Sequence, residues 1–210
     1  PKAVYDGAVV KPDYQWNHNF IKQDITTETG SLSQPGKKVK LRTSVLANSI
    51  FDARNTLTWR TWGPTCSDTI SIDASRIKDG DCVGLSAFNG DAGVLTVKKE
   101  GKKAYLVFTE ENVSLSDDTK AITDVKRKET DRIAIPNSRL KDIRLVMSCD
   151  FNPGRDIATF AYSLDKGKTW KKIGTDYKMI FDYRRLFMGT RYAAFYYPTK
   201  STGGEVTIQL

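Results

Sequence analysis

The residues Gln15-Trp16-Asn17-His18-Asn19 set amide and imidazole side chains around a single indole. That mixture suits sugar recognition. A flat ring covers the apolar face of a pyranose, and planar side chains that donate and accept pair with its hydroxyls. The same run also fits a buried Trp with polar neighbours at a strand end. Two further runs carry aromatic and polar residues together. Arg54 to Pro64 contains Trp59, Arg60, Thr61 and Trp62, and Arg191 to Tyr197 contains Tyr192, Phe195 and Tyr196. Alternate residues of a strand share a face. Trp59 and Thr61 therefore point away from Arg60 and Trp62, which sends one indole to a core and leaves the other beside Arg60. Arg191 and Ala193 oppose Tyr192 and Ala194 in the same way. A concave sheet face built from Arg, Trp, Tyr and amides is the make-up of a polysaccharide groove. A core of aromatics capped by hydrogen-bonded arginines has the same composition.

Other chemistry finds little support. Glycoside hydrolysis needs a pair of carboxylates, one of them with a raised pKa. The pairs Asp79/Asp81, Glu110/Glu111 and Asp117/Asp118 lie in or near turns, where acids bond locally, and no carboxylate is expected in an apolar setting. A Ser-His-Asp mechanism would have to use His18, the one histidine, and no Gly-x-Ser-x-Gly elbow accompanies it. No His-Glu-x-x-His, P-loop or Gly-x-Gly-x-x-Gly run occurs. Cys66, Cys82 and Cys149 match no zinc spacing. They read as small buried apolar residues, with one disulfide and one free thiol left open.

The 210 residues carry 33 Lys and Arg against 25 Asp and Glu, a net charge of +8. Nucleic-acid binding would call for a segregated basic stripe. Here bases and acids are mixed, as in Lys126-Arg127-Lys128-Glu129. A basic domain can instead attract an acidic polysaccharide at long range. No apolar run reaches the length of a membrane span, and no signal peptide is visible. The absence of an initiator Met and the strand-like end at Gly204–Leu210 suggest a single domain, 1–210, excised from a longer chain. The compartment stays open, with a secreted or cell-surface setting favoured over a cytoplasmic one.

The elements that must position these residues read as strands. Val39–Thr43, Thr69–Asp73, Val94–Lys98 and Ile143–Cys149 alternate apolar and polar side chains. Gly and Pro punctuate them at Pro35-Gly36, Gly63-Pro64, Asp79-Gly80-Asp81, Asn89-Gly90, Pro153-Gly154 and Gly203-Gly204. Hairpins are expected at Glu100-Gly101 and Asp165-Lys166-Gly167. Glu110 to Asp131 reads as a long hairpin or a mobile loop. Many short strands with one polar face predict an all-β, two-sheet antiparallel sandwich.

A family resemblance extends along nearly the whole chain. Gln15-Trp16-Asn17-His18-Asn19, Arg54-Asn55-Thr56-Leu57-Thr58 and Gly63-Pro64-Thr65 resemble the C-terminal β-sandwich domain that follows the five-bladed propeller in many glycoside hydrolase family 43 β-xylosidases and arabinofuranosidases. Asp79–Phe88 is similar to that family's DGD-x-x-GL-x-x-F segment. Phe160–Asp165 with Lys168-Thr169-Trp170 resembles its F-x-YS-x-DG-x-x-W hairpin, and Gly189–Tyr192 with Gly203-Gly204 resembles its closing strands. The resemblance implies a concanavalin-like jelly roll. It implies no catalysis in this chain, because the hydrolytic carboxylates belong to the propeller. It also implies two alternative roles. One is a carbohydrate-binding module for xylan or arabinoxylan, for which the aromatic and polar set read above offers Trp16, Asn17, His18, Asn19, Arg60, Trp62, Arg191 and Tyr192. The other is a structural domain that packs on a propeller in the same polypeptide and shapes its active site. Related sandwiches hold a structural Ca²⁺ with an acid of the last strand. Here that strand reads Glu205-Val206-Thr207-Ile208-Gln209; Asp6 near the start could serve as a ligand, while Thr207 and Gln209 are weaker ligands than carboxylate. The strand after the amide-rich run, Gln23–Thr27, lacks the family's aromatic. No nucleic-acid or membrane partner is expected.

Overall fold

The computed structural model describes residues 3–5, 8–10, 13–17, 19–32, 34–119, 121–181 and 189–210, with side chains from residue 13 onward. Among the described residues sixteen strands follow one another: β1 (Ala3–Tyr5), β2 (Ala8–Val10), β3 (Gln15–Trp16), β4 (Ile25–Thr27), β5 (Lys38–Arg42), β6 (Leu57–Arg60), β7 (Thr65–Arg76), β8 (Asp81–Phe88), β9 (Ala92–Glu100), β10 (Lys103–Leu115), β11 (Ile122–Ile135), β12 (Ile143–Asp150), β13 (Ile157–Ser163), β14 (Lys171–Lys178), β15 (Arg191–Pro198) and β16 (Glu205–Gln209). Apart from the β1–β2 ribbon they form two seven-stranded sheets, ordered β11-β10-β9-β8-β15-β6-β3 and β14-β13-β12-β7-β16-β5-β4. Every strand pairing is antiparallel.

Alternation in the sequence becomes alternation in burial. In β12, Ile143, Leu145, Met147 and Cys149 are buried while the residues between them are partly exposed. Their inward side chains meet those of the first sheet in the main core, with Trp59, Leu85, Phe108, Tyr192 and Tyr196. β8 and β15 break the alternation, since all eight residues of each are buried. A strand with both faces covered loses its polar face. The cover on the outer side is the chain itself. Residues 43–56 cross that face, and Ala47, Ile50 and Ala53 pack on Cys82, Phe88, Ala193, Phe195 and Tyr197 in a second, smaller core. The Ala47 N–H donates to the Pro198 carbonyl, and Arg127 donates to the Asn48 carbonyl.

The stretch from Glu110 to Asp131 is a long hairpin. β10 and β11 pair from Ala104↔Ile135 to Leu115↔Ile122, with a bulge after Phe108. β11 forms the sheet edge and is largely exposed and charged. That composition blunts edge-to-edge pairing. Arg132 on it bridges Glu100 and Glu129 and lies 4.9 Å from the Tyr105 ring centre.

Registers place several connections at one end of the sandwich. Arg191 pairs with both Arg60 and Phe88, Asp150 pairs with Thr65 and Ile157, and Ile157 pairs with Lys178. Among the described residues, 61–64, 89–91, 151–156, 179–181 and 189–190 therefore emerge together and form one end face. Among the described residues no helix is long and apolar enough to cross a membrane.

Candidate functional site

The outer side of the β6–β15 pair holds a charged network. Arg191 and Arg60 sit directly opposite each other. Arg191 is 7% exposed. Its Nε–H donates to the Thr58 hydroxyl at 3.0 Å and its Nη2–H to the Asp13 carbonyl at 3.0 Å. Burial pulls its pKa down, Asp13 pulls it back up, and Arg60 adds a smaller downward push. Arg60, by contrast, is exposed, with the Asp13 carboxylate 3.8 Å from its Nε. Of the two arginines expected to meet hydroxyls, only Arg60 is open to solvent.

The inner side of the same pair corrects the expectation for Tyr192. Instead of meeting a ligand, this residue is 2% exposed and stacks on Trp59 with ring centres 5.5 Å apart. The reason is the strand period: Tyr192 is the neighbour of outward Arg191 and so points inward. Its hydroxyl donates to Cys66 Sγ at 3.1 Å. Trp59 is the indole that enters the core, where its Nε1–H donates to Asp68 Oδ2 at 2.8 Å. Trp62 is half-buried at the end face, and its backbone N–H donates to Cys66 Sγ at 3.2 Å.

The amide-rich run is divided by the structure. Trp16 pairs with Leu57, a core residue. It packs against the core, its Nε1–H donates to the Leu32 carbonyl at 2.6 Å, and its ring centre lies 6.1 Å from that of Phe20. Trp16 thus closes the sheet edge. The Asn17 N–H donates to the Thr56 carbonyl. Asn19 adopts a positive φ of 61° and accepts from Arg54 at 2.8 Å through its carbonyl. His18 and Asp6 lie outside the described residues. Trp16 opposite Leu57 stands three residues from Arg60 along β6, about 10 Å at ~3.3 Å per residue. The expected set therefore separates into an edge group and an end-face group.

Carboxylates elsewhere in the fold bear on the metal and on hydrolysis. Glu205, the acid of the last strand, faces Lys40 at 3.5 Å, Arg42 at 3.1 Å and Arg76 at 3.1 Å. Three cations around one carboxylate do not fit a divalent ion, and among the described residues no group of three or more His, Cys, Asp or Glu is arranged to hold a metal. Carboxylates with raised pKa values do exist, contrary to the expectation of none. Burial raises Asp68, against the Trp59 N–H. It raises Asp81, against the Lys78 N–H and the Tyr196 hydroxyl, and it raises Glu111, against Arg127. The apolar surroundings of each come from other strands, so local sequence did not announce them. Their own donors hold them apart, at the inner face of β7, the start of β8 and the outer face of β10, which is not the paired arrangement hydrolysis requires.

The end face also carries apolar residues that the sequence pattern did not single out. Ile180 and Phe181 are 54% and 58% exposed. The Asn89 side chain donates to the Ile180 carbonyl at 3.1 Å, and Phe51 lies against Phe88 with ring centres 5.7 Å apart.

The family model of the β-xylosidase C-terminal concanavalin A-like domain of glycoside hydrolase family 43 matches residues 2–209. The chain belongs to this family. A solved family 43 glycoside hydrolase, engineered to display both endo-xylanase and exo-arabinofuranosidase activity, is 30% identical over 94% of this domain, with a TM-score of 0.82. A bifunctional GH43-CE protein of Bacteroides eggerthii is 33% identical over 93%, with a TM-score of 0.75. The family 43 protein BlXynB of Bacillus licheniformis, in a mutant form, shares the fold at 16% identity and a TM-score of 0.69 over 93% of this domain. The domain spans 37%, 23% and 35% of the lengths of those chains. No curated protein matches it.

Proposed function

We propose that this domain is a non-catalytic accessory domain of a family 43 glycoside hydrolase acting on xylan or arabinoxylan, and that it docks the catalytic propeller of the same polypeptide through its end face. The observation that carries the reading is the filling of the outer sheet face by residues 43–56, with Ile50 at 0% exposure on Phe195 at 0%. An extended polysaccharide lying along that face would meet the chain's own backbone. Ile180 and Phe181, the two most exposed large apolar residues among those described, stand instead at the end face that also carries Trp62 and Arg60. Aromatic and Arg side chains with few free charges are the composition of an interface core.

The test is made in the intact polypeptide. Ile180→Asp and Phe181→Asp together should lower the melting temperature of the catalytic domain while leaving the fold of the isolated accessory domain unchanged. Unaltered melting of the catalytic domain would count against docking through this face.

A second reading, direct recognition of xylan, rests on Trp62 and exposed Arg60 standing two residues apart at the same end. A ring face and a planar donor side by side are what a pyranose requires. Affinity electrophoresis in soluble arabinoxylan distinguishes the two. Retardation that Trp62→Ala abolishes supports direct binding, and unretarded migration supports docking.

A further inference from the structure

Cys66 and Cys149 face each other across β7 and β12 as direct register partners. Opposed residues of an antiparallel pair hold their α-carbons about 4.5–5.5 Å apart, inside the roughly 4.4–6.8 Å that a disulfide spans. Both side chains turn into the same interior. Cys149 is 3% exposed in the main core, and Cys66 packs against that core while remaining partly accessible. The Cys149 thiol stands beside Cys66 and lowers its pKa. Two donors converge on Cys66 Sγ, the Tyr192 O–H at 3.1 Å and the Trp62 backbone N–H at 3.2 Å. A sulfur that accepts from two donors beside a second thiol is a site prepared for thiolate, despite the nearby Asp68 charge. The third cysteine has no such setting. Cys82 is buried opposite Lys98, and burial pushes its thiol up to about 11.

We propose that Cys66 and Cys149 are a redox-active pair that closes to an intramolecular cross-strand disulfide when a small-molecule disulfide is the oxidant. The Cys66 thiolate attacks one sulfur of the oxidant, the S–S bond breaks, and the first small thiolate leaves. Cys149 then gives up its proton and attacks Cys66 Sγ, expelling the second small thiolate. The two protein thiols are oxidised, the small disulfide is reduced to two thiols, and those thiols carry the two protons released. The thiolate is the attacking species, and the accessible, donor-surrounded Cys66 is the one positioned to attack first. Closure ties β7 to β12 beside residues 61–64 and removes the sulfur anion to which Trp62 donates. The end face therefore changes with redox state.

The experiment uses the folded protein and oxidised glutathione, followed by acid quenching, unfolding and thiol counting. The count should fall from the three thiols of the sequence to one. Peptide mapping should join Cys66 to Cys149 and leave Cys82 alone, with no glutathione retained. Cys82→Ala should lose every thiol under the same treatment. Cys149→Ala should stop with glutathione on Cys66. An unchanged count, glutathione retained on wild-type Cys66, or Cys82 in the cross-linked peptide would overturn the proposal.

Discussion

Arg191 and Arg60 stand directly opposite each other on the outer face of the β6–β15 pair, one buried and one exposed. Like charges in that relationship repel. Asp13 relieves the repulsion, since its carbonyl accepts from Arg191 and its carboxylate lies near Arg60. Two residues of one type thus hold different positions in the fold. Arg191 fastens the start of β15 to Thr58 and to the N-terminal segment, whereas Arg60 is presented outward.

Substitution should separate them. Arg191→Met leaves the Thr58 hydroxyl and the Asp13 carbonyl without their donor, and should cost about 2–3 kcal/mol. Arg60→Met removes one like charge and one long, exposed ion pair, and should stay within ~0.5 kcal/mol of the wild type. Urea denaturation of the two variants measures both. Equal losses would mean that the buried network does not hold β15.

Trp16 and Trp62 should also part company. Trp16→Phe keeps an aromatic ring at the sheet edge but loses the bond to the Leu32 carbonyl, a cost of about 1 kcal/mol. Trp16→Ala adds the loss of packed ring area and should approach ~3 kcal/mol. Trp62→Ala should disturb partner contacts more than stability. Melting temperatures rank the three, and a Trp16→Ala variant as stable as the wild type would contradict the edge-closing role.

Cys66 gives a pH prediction. The neighbouring Cys149 thiol, opposed by burial and assisted by the Tyr192 and Trp62 donors, holds the Cys66 thiol below the ordinary 9.0. The folded chain therefore releases this proton at a lower pH than the unfolded chain does. This contribution to stability is full above about pH 9 and is lost as pH falls through the lowered value of the folded state. Cys149 holds its proton more tightly, because it faces Cys66 in the buried core, and so opposes only at higher pH. The alkylation rate of Cys66 should rise with a midpoint below the ordinary 9.0. Tyr192→Phe and Cys149→Ala should each move that midpoint upward. A wild-type midpoint at the ordinary thiol value would refute the assigned donors.

Gly204 and Gly101 separate two reasons for glycine. A Cβ on Gly204 would lie 2.2 Å from both Asp81 Oδ2 and the Tyr196 hydroxyl oxygen. Those two atoms are bonded to each other at 2.7 Å in the buried interior. Gly204→Ala should cost about 3 kcal/mol through overpacking. Gly101 has φ +60° and no atom within 4 Å of a would-be Cβ, so Gly101→Ala should cost only about 1 kcal/mol of backbone strain. Thermal unfolding checks the order, and its reversal would place the strain at the hairpin rather than at the Asp81–Tyr196 contact.

Much of the architecture is legible along the chain because a strand writes its two faces in alternate letters. Ile143 to Cys149 alternates and lies on the inner face, and the opposition of Trp59 to Arg60 follows from the same period. What alternation does not carry is cover supplied from elsewhere. Ala193, Phe195 and Tyr197 lie on the outer face, and the packing of Ala47, Ile50 and Ala53 on that face explains why they are apolar. The pairing of Cys66 with Cys149 is likewise a matter of register between distant strands. Asp68 and Glu111 resemble ordinary polar strand residues until their neighbours are known. The end-face group was half visible, in Arg60 and Trp62. Ile180 and Phe181 join it only because β14 ends at the same end of the sandwich.

The docking role is tested most directly by calorimetry of the complete polypeptide. The account predicts one cooperative transition in which this domain and the catalytic domain unfold together, splitting into two when Ile180 and Phe181 are both replaced by Asp. Two independent transitions in the wild type, with this domain melting where it melts alone, would contradict it.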